Sequence, residues 1–202
     1  MLRIFLTVSV LFWNQLAAQN AVNKILDLCE DVDCFKPIFV MQGENYDVMK
    51  FKSHQWVETE VSGMDMESAL EIGLEKLFNY VYFNNSAGTI VPVAAPWGVL
   101  GRLENGTMQQ SFVVYRLLLP EIAKLPEPLD DTVQLGSRSD VWFYVRAFDD
   151  EADEDEIENR VAQFQKDLEQ DNQSFGEVFR IALYTTRGLM FIAFERTEEA
   201  EN

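Results

Sequence analysis

The sequence is poor in histidine, cysteine and positive charge. Its 16 lysine and arginine residues stand against 34 aspartate and glutamate residues, which gives a formal net charge of -18 at pH 7. A field of this sign repels phosphate backbones and anionic membranes, so we expect neither nucleic acid nor a lipid surface as a partner. One histidine, well separated from the two cysteines, does not complete the set of about four ligands that a structural zinc site requires.

Familiar catalytic motifs are missing as well. The chain has no Gly-x-Ser-x-Gly nucleophile elbow, no glycine-rich phosphate loop and no His-Glu-x-x-His pair. With a single histidine, it also has few groups suited to acid-base catalysis near neutral pH. We therefore expect a binding protein rather than an enzyme.

The first residues have the pattern of a secretory signal peptide. Arg3 precedes an apolar run that ends near Trp13, and the small residues Ala17 and Ala18 follow. The run is shorter than the roughly 20 residues of a membrane-spanning helix, so we predict a signal peptide at residues 1–18, no membrane insertion and an extracellular protein. Three Asn-x-Ser/Thr sequons agree with secretion and are expected glycosylation sites: Asn84, Asn105 and Asn172.

The two cysteines lie in an N-terminal extension at residues 19–43. Cys29 and Cys34 are close in the sequence, and in an oxidising compartment such a pair most often forms a small disulfide loop. The extension also contains a short apolar, helix-like stretch. We expect it to be a structural segment attached to the main domain, which spans residues 44–198.

Residues 44–198 carry two similar series of patterns. In the first, β-type runs at 46–51 and 55–61 precede a helical stripe that begins after Asp65, and two further β-type runs follow at 89–95 and 111–119. In the second, a run at 141–148 precedes a helix that has apolar residues on one face, and runs at 178–184 and 189–194 follow. This order predicts an α+β fold of two β-α-β-β repeats, with two main helices on a curved antiparallel sheet or distorted barrel.

Several segments together resemble one known family. They are residues 46–51, 56–61, 68–81, 93–96 and 145–148, in the order and spacing typical of the SOUL/haem-binding protein family. The resemblance covers roughly residues 44–195. It implies a fold of two β-α-β-β units and noncovalent binding of haem or another tetrapyrrole. The chain lacks the Cys-x-x-Cys-His motif of covalent haem attachment, which agrees with a noncovalent ligand.

The sequence departs from the family at positions that matter for haem. Lys50 stands where some relatives have a histidine proposed as an iron ligand. Glu67, Glu71 and Glu75 occupy the helix face where others carry basic residues that could meet propionates. The resemblance therefore supports the fold more strongly than the haem chemistry.

His54 is the candidate metal ligand, because haem iron is commonly held by an axial histidine. It is the single histidine in the chain and lies beside Trp56. The alternative is an exposed turn histidine next to Lys52 and Ser53. Lys50 is a candidate partner for a propionate, and the alternative is that it only balances a nearby carboxylate.

The apolar positions of the first long helix are the other candidate haem contacts. They are Met66, Leu70, Leu74, Leu77 and Phe78. Burial of a macrocycle against such a surface at about 25 cal/mol per Å² could support micromolar affinity without a strong iron bond. The alternative is that the same residues form the core face of the helix.

Two functions remain open from the sequence. The first is a secreted carrier or scavenger of haem or a related porphyrin. The second is a secreted module that retains the fold, has lost haem binding and binds an extracellular protein partner. Binding of haemin by the mature protein separates them.

Overall fold

The computed structural model describes residues 21–30, 32–119, 124–148, 152–184 and 190–197. The signal peptide expected at residues 1–18 lies outside this part of the chain. Within it, no helix is both long and apolar enough to cross a membrane.

The described residues form three helices and ten strands. The helices are α1 Ala21–Leu28, α2 Met66–Val81 and α3 Glu154–Gln170. The strands are β1 Ile38–Gln42, β2 Asp47–Phe51, β3 His54–Ser62, β4 Val93–Glu104, β5 Thr107–Met108, β6 Ser111–Leu118, β7 Val133–Arg138, β8 Val141–Phe148, β9 Phe175–Leu183 and β10 Met190–Arg196.

The sheet is antiparallel and shows the predicted repeat. Nine strands follow the order β1-β2-β8-β10-β9-β4-β6-β3-β7, and β5 pairs with β4. The first repeat, β3-α2-β4-β6, therefore meets the second, β8-α3-β9-β10, where β4 pairs with β9. Strand β2 precedes the first repeat in the sequence but pairs with β8 of the second. Strand β7 precedes the second repeat but pairs with β3 of the first. The predicted α+β fold of two β-α-β-β units is confirmed, and the sheet is open rather than a closed barrel.

Some boundaries differ from those that the sequence predicted. The run at 89–95 was expected to be a strand, but β4 begins only at Val93. The residues before it form a loop that Asn85 organises, because its side-chain amide donates to the carbonyl oxygens of Tyr80 (2.9 Å) and Thr89 (2.7 Å). Side-chain bonds of this kind compete with strand pairing. The extension at 19–43 also contributes a strand, β1, which pairs with β2 at the sheet edge.

The two long helices begin at side-chain caps and pack on one face of the sheet. A carboxylate oxygen of Asp65 accepts a hydrogen bond from the Ser68 backbone nitrogen at 2.8 Å, and Asp153 accepts one from Glu156 at 2.9 Å. Residues spaced by three or four then face the sheet in both helices, and they share one core with it. We call this side of the sheet the helix face.

The opposite side of the sheet is covered in part by α1, and we call it the α1 face. Side chains alternate along β3, so that Val57 and Val61 join the core of the helix face while Trp56 lies on the α1 face. A second apolar cluster lies on the α1 face. It combines Ala21, Ile25 and Cys29 with strand residues that include Met49, Phe143, Val145, Tyr184, Phe191 and Ala193.

The contact between the two halves depends on a glycine. A Cβ atom at Gly98 of β4 would lie 1.8 Å from the carbonyl oxygen of Ile181 in β9. A larger residue therefore cannot occupy this position unless the two strands move apart.

Because of this close approach, we expect Gly98→Ala to lower the free energy of unfolding by about 1–3 kcal/mol or more. Gly176→Ala is the matched control, because its nearest contact would be an ordinary one at 3.9 Å and its effect should stay within about 0.5 kcal/mol. Urea unfolding measures both. Equal effects of the two substitutions would contradict this account of the contact.

Candidate functional site beneath helix α1

A cavity of about 120 Å³ lies on the α1 face of the sheet, with Ile25 of α1 among its lining residues. Both repeats contribute to it. Its apolar walls include Phe51, Trp56, Leu117, Phe143 and Phe191, and its polar residues include His54, Glu58, Tyr115, Arg138, Arg180 and Tyr184. An apolar pocket with a few convergent polar groups is the usual form of a small-molecule site.

A disulfide holds the α1 segment against the sheet. Cys29 and Cys34 are joined, and Cys34 forms a bridge with Ala95 of β4. The Phe35 backbone nitrogen donates to the Ala95 carbonyl oxygen at 2.9 Å, and the Ala95 nitrogen donates to the Asp33 carbonyl oxygen at 2.9 Å. The short helix α1 is therefore fixed at its carboxyl end, next to the cavity.

His54 lies in the wall of the cavity near two aromatic rings. Its ring centroid is 5.8 Å from that of Phe35 and 5.6 Å from that of Trp56. The Nδ1 atom lies 2.7 Å from the Lys52 carbonyl oxygen, which can only accept, so Nδ1 carries a proton. Burial lowers the pKa of His54 below its usual value; the hydrogen bond to Lys52 opposes this shift in part, and the charges of Arg180 and Arg138 add smaller lowering contributions. The imidazole is then neutral and Nε2 holds the lone pair that a metal ion would need.

Two arginines of the cavity have unequal partners. Arg138 forms a close ion pair with Glu195. Arg180 lies 3.9 Å from the other oxygen of Glu195, beyond hydrogen-bond distance, and its buried Nε has no hydrogen-bond partner within the described segments. About 24% of the Arg180 side-chain surface remains accessible. Because Arg180 lines the cavity, this is surface that a bound molecule can contact.

The neighbouring tyrosines are also buried. Tyr184 is 4% exposed, and its hydroxyl group has no hydrogen-bond partner among the described residues. Burial raises the pKa of Tyr115 to about 12 and raises that of Tyr184 as well. Both phenols are therefore protonated at neutral pH and able to donate. By contrast, Glu58 already accepts a hydrogen bond from the Trp56 indole nitrogen at 2.6 Å.

The structure places the other predicted haem contacts elsewhere. Met66 and Leu77 are buried in the core of the helix face, and Leu70 and Leu74 pack against that core. Phe78 is 53% exposed and contacts Tyr82. None of these five lines the cavity, so the structure does not bring them together with His54.

Lys50 is also engaged away from the cavity. Its Nζ lies 2.7 Å from an Asp140 carboxylate oxygen and 4.6 Å from the centre of the Trp142 ring. This agrees with the alternative that Lys50 balances a carboxylate. Among the described residues, no group of three or more histidine, cysteine or acidic side chains could hold a metal ion. A single axial bond from His54 to a metal carried by a ligand does not need such a group.

Sequence reasoning missed Tyr115, Arg180 and Tyr184. The sequence pattern around Arg180 could have indicated a functional residue, because Arg180 is a charged residue among the apolar residues of the strand predicted at 178–184. Arg116 gives the same signal in β6, but it is not among the residues of the cavity. The sequence alone could not separate the two arginines.

Comparisons with known proteins agree on fold and family. The C-terminal domain of EcmrR superposes with a TM-score of 0.58 at 7% identity, over 77% of this chain and 98% of that domain, which shows a shared fold. Human Heme-binding protein 2 is 26% identical over 149 residues, 73% of this chain and 71% of that protein. Its mouse counterpart is 25% identical over 150 residues, 72% of each. The family model of the SOUL heme-binding protein matches residues 33–200, and the chain belongs to that family.

Proposed function

We propose that the chain is a secreted, noncovalent binding protein for haem or a related tetrapyrrole, and that it acts as a carrier or scavenger rather than as an enzyme. Its family and the names of its human and mouse relatives support this ligand class. Catalysis has no support from any motif in the sequence.

The observation that carries the proposal is the setting of His54. A neutral imidazole with Nδ1 bonded to a backbone carbonyl has the arrangement of metal-ligating histidines in proteins. The rings of Phe35 and Trp56 lie 5.8 Å and 5.6 Å from the imidazole, and the apolar cavity beside it offers part of the surface that a macrocycle would contact. His54 would serve as the axial ligand, and Arg138 and Arg180 could meet the propionates. The bound iron would supply the ligand-field spectrum by which binding is followed.

The cavity is too small for the whole ligand while α1 is in place. Pockets for drug-sized ligands have volumes of roughly 300–1,000 Å³, whereas this cavity has about 120 Å³. Helix α1 has eight residues, and helices of fewer than about 12 residues are marginal without tertiary contacts. We therefore propose that α1 moves aside when the macrocycle enters.

Secretion is supported by the leader pattern and by the positions of the sequons. Asn84, Asn105 and Asn172 are all exposed, and Asn105 and Asn172 lie in turns with positive φ angles. None of the three lines the cavity. Glycans at these sites would therefore leave the proposed ligand site free.

A haemin titration of the mature, glycosylated protein tests the function. We expect saturable one-to-one binding and a shifted Soret band. In His54→Ala the ligand-field shift should disappear and the affinity should fall at least about tenfold, or about 1.4 kcal/mol. No other histidine can replace it, because the chain has one.

Ser53→Ala is the matched control, since it changes an exposed neighbour of His54 and leaves the imidazole in place. It should bind haemin as the unchanged protein does. An unaltered spectrum in His54→Ala would remove His54 from the site. Absence of saturable binding would contradict the haem function and favour a module for an extracellular protein partner.

Two substitutions in α1 test whether the helix must move. Ile25 is 1% exposed and Leu26 is 38% exposed, so Ile25→Ala should weaken the docking of α1 by about 2 kcal/mol or more. Leu26→Ala should change it by no more than about 0.5 kcal/mol. We expect Ile25→Ala to bind haemin at least about tenfold more tightly, which corresponds to about 1.4 kcal/mol. Weaker binding by Ile25→Ala would show instead that α1 remains in contact with the ligand.

A further inference from the structure

Arg180 is a charged group in an apolar cavity. Its guanidinium lies 5.0 Å from the centre of the Phe143 ring, and among the described residues no carboxylate forms a hydrogen bond with it. Arg180 lies opposite Leu100 across the pairing of β4 and β9. Its nearest carboxylate, that of Glu195, is 3.9 Å away and is already in a close ion pair with Arg138. The Nε of Arg180 is buried and makes no hydrogen bond with any residue that the structure describes. An ion removed from water in this way is unfavourable unless another group compensates it.

Two tyrosines, Tyr115 and Tyr184, line the same cavity as this guanidinium. Tyr115 interacts electrostatically with Arg180, and Tyr184 interacts with Tyr115. The Tyr184 hydroxyl is itself buried and has no hydrogen-bond partner in the described part of the chain. A cation and two protonated phenols in one cavity can all donate hydrogen bonds, so the group that completes them is an acceptor, and an anionic one also compensates the charge.

Two carboxylates attract the Arg180 guanidinium electrostatically, Glu58 in the cavity wall and Glu195 outside it, but among the described residues neither forms a hydrogen bond with it. Glu58 accepts from the Trp56 indole nitrogen, and Glu195 pairs with Arg138. Arg180 is the charged group of the cavity whose hydrogen-bonding capacity is least used among the described residues. The guanidinium group is planar and fits a carboxylate through two parallel hydrogen bonds.

We propose that Arg180, Tyr115 and Tyr184 form a carboxylate-binding site, and that the apolar part of the ligand lies against Leu117, Phe143 and Phe191. The carboxylate has two possible sources. The first is a propionate of a tetrapyrrole, and in that case the inference rests on the proposed function. The second is the acid group of a separate small aromatic carboxylate, and in that case the inference is independent of the proposed function.

Calorimetric titration of the mature protein with matched acid and neutral ligands tests the site. The small pair is 3-phenylpropionate and 3-phenylpropanamide, and the large pair is haemin and haemin dimethyl ester. We expect the acid to bind at least about tenfold more tightly than its neutral counterpart in at least one pair, a factor equal to about 1.4 kcal/mol. Arg180→Gln should abolish that preference. Arg102→Gln is the matched control, because Arg102 is exposed on β4 and is not among the residues of the cavity.

The two pairs distinguish the sources of the carboxylate. A preference in the small pair alone identifies a separate aromatic acid, and a preference in the haemin pair identifies a propionate. If haemin does not bind but 3-phenylpropionate binds through Arg180, the proposed function fails and the carboxylate site stands. If neither acid is preferred, or if Arg180→Gln keeps the preference, the inference is overturned.

Thermal unfolding separates a binding role from a structural one. Because no described residue forms a hydrogen bond with Arg180, and because methionine can keep the contact with the Phe143 ring, Arg180→Met should fold with an unchanged or higher melting temperature and still lose the preference for the acid. Should the Arg180 variants fail to fold, Tyr184→Phe removes one hydroxyl group from the site. We expect it to keep the melting temperature and to weaken acid binding several-fold, and unaltered binding by this variant would overturn the inference.

Discussion

The pairing of β4 with β9 is the contact on which the rest of the structure depends. It joins the two β-α-β-β halves into one sheet, and it requires Gly98, whose missing side chain leaves room for the carbonyl oxygen of Ile181. The same pairing sets Arg180 opposite Leu100, and the pairing of β4 with β6 sets Tyr115 opposite Gly98. The polar groups of the cavity come from both halves, so the site exists only where the halves meet.

The net charge of the chain disfavours anionic ligands, whereas the polar groups of the cavity favour them. The net charge of -18 disfavours anions in general, and the anionic groups of a porphyrin would meet this field at the surface. Arg138 and Arg180 line the cavity, whereas Glu58 in its wall already accepts a hydrogen bond from Trp56, and Glu195 is paired with Arg138. Coulomb interactions there act over short distances in a medium of lower dielectric constant than water. Local geometry can therefore favour a carboxylate that the overall charge repels.

The sequence predicted the repeat and the long helices, because their apolar periodicity extends over many residues. It missed β7, whose residues Val133–Arg138 include a glycine and polar side chains and which is stabilised by pairing with the distant β3. It identified His54 but assigned it to one site with the apolar residues of α2. Side chains alternate along β3, so His54 lies on the α1 face, whereas the buried residues of α2 pack on the helix face. Arg180, Tyr115 and Tyr184 could not be grouped from the sequence, since their convergence depends on the register between strands of different repeats.

The proposed binding of the ligand on the α1 face of the sheet is tested by amide chemical-shift perturbation on addition of a diamagnetic porphyrin. We expect the shifts to concentrate in α1, around His54 and Trp56 of β3, and around Arg180 of β9. Residues along the exposed side of α2 should remain unperturbed. Shifts confined to α2 around Phe78 and Tyr82, with none in β3 or β9, would contradict the account.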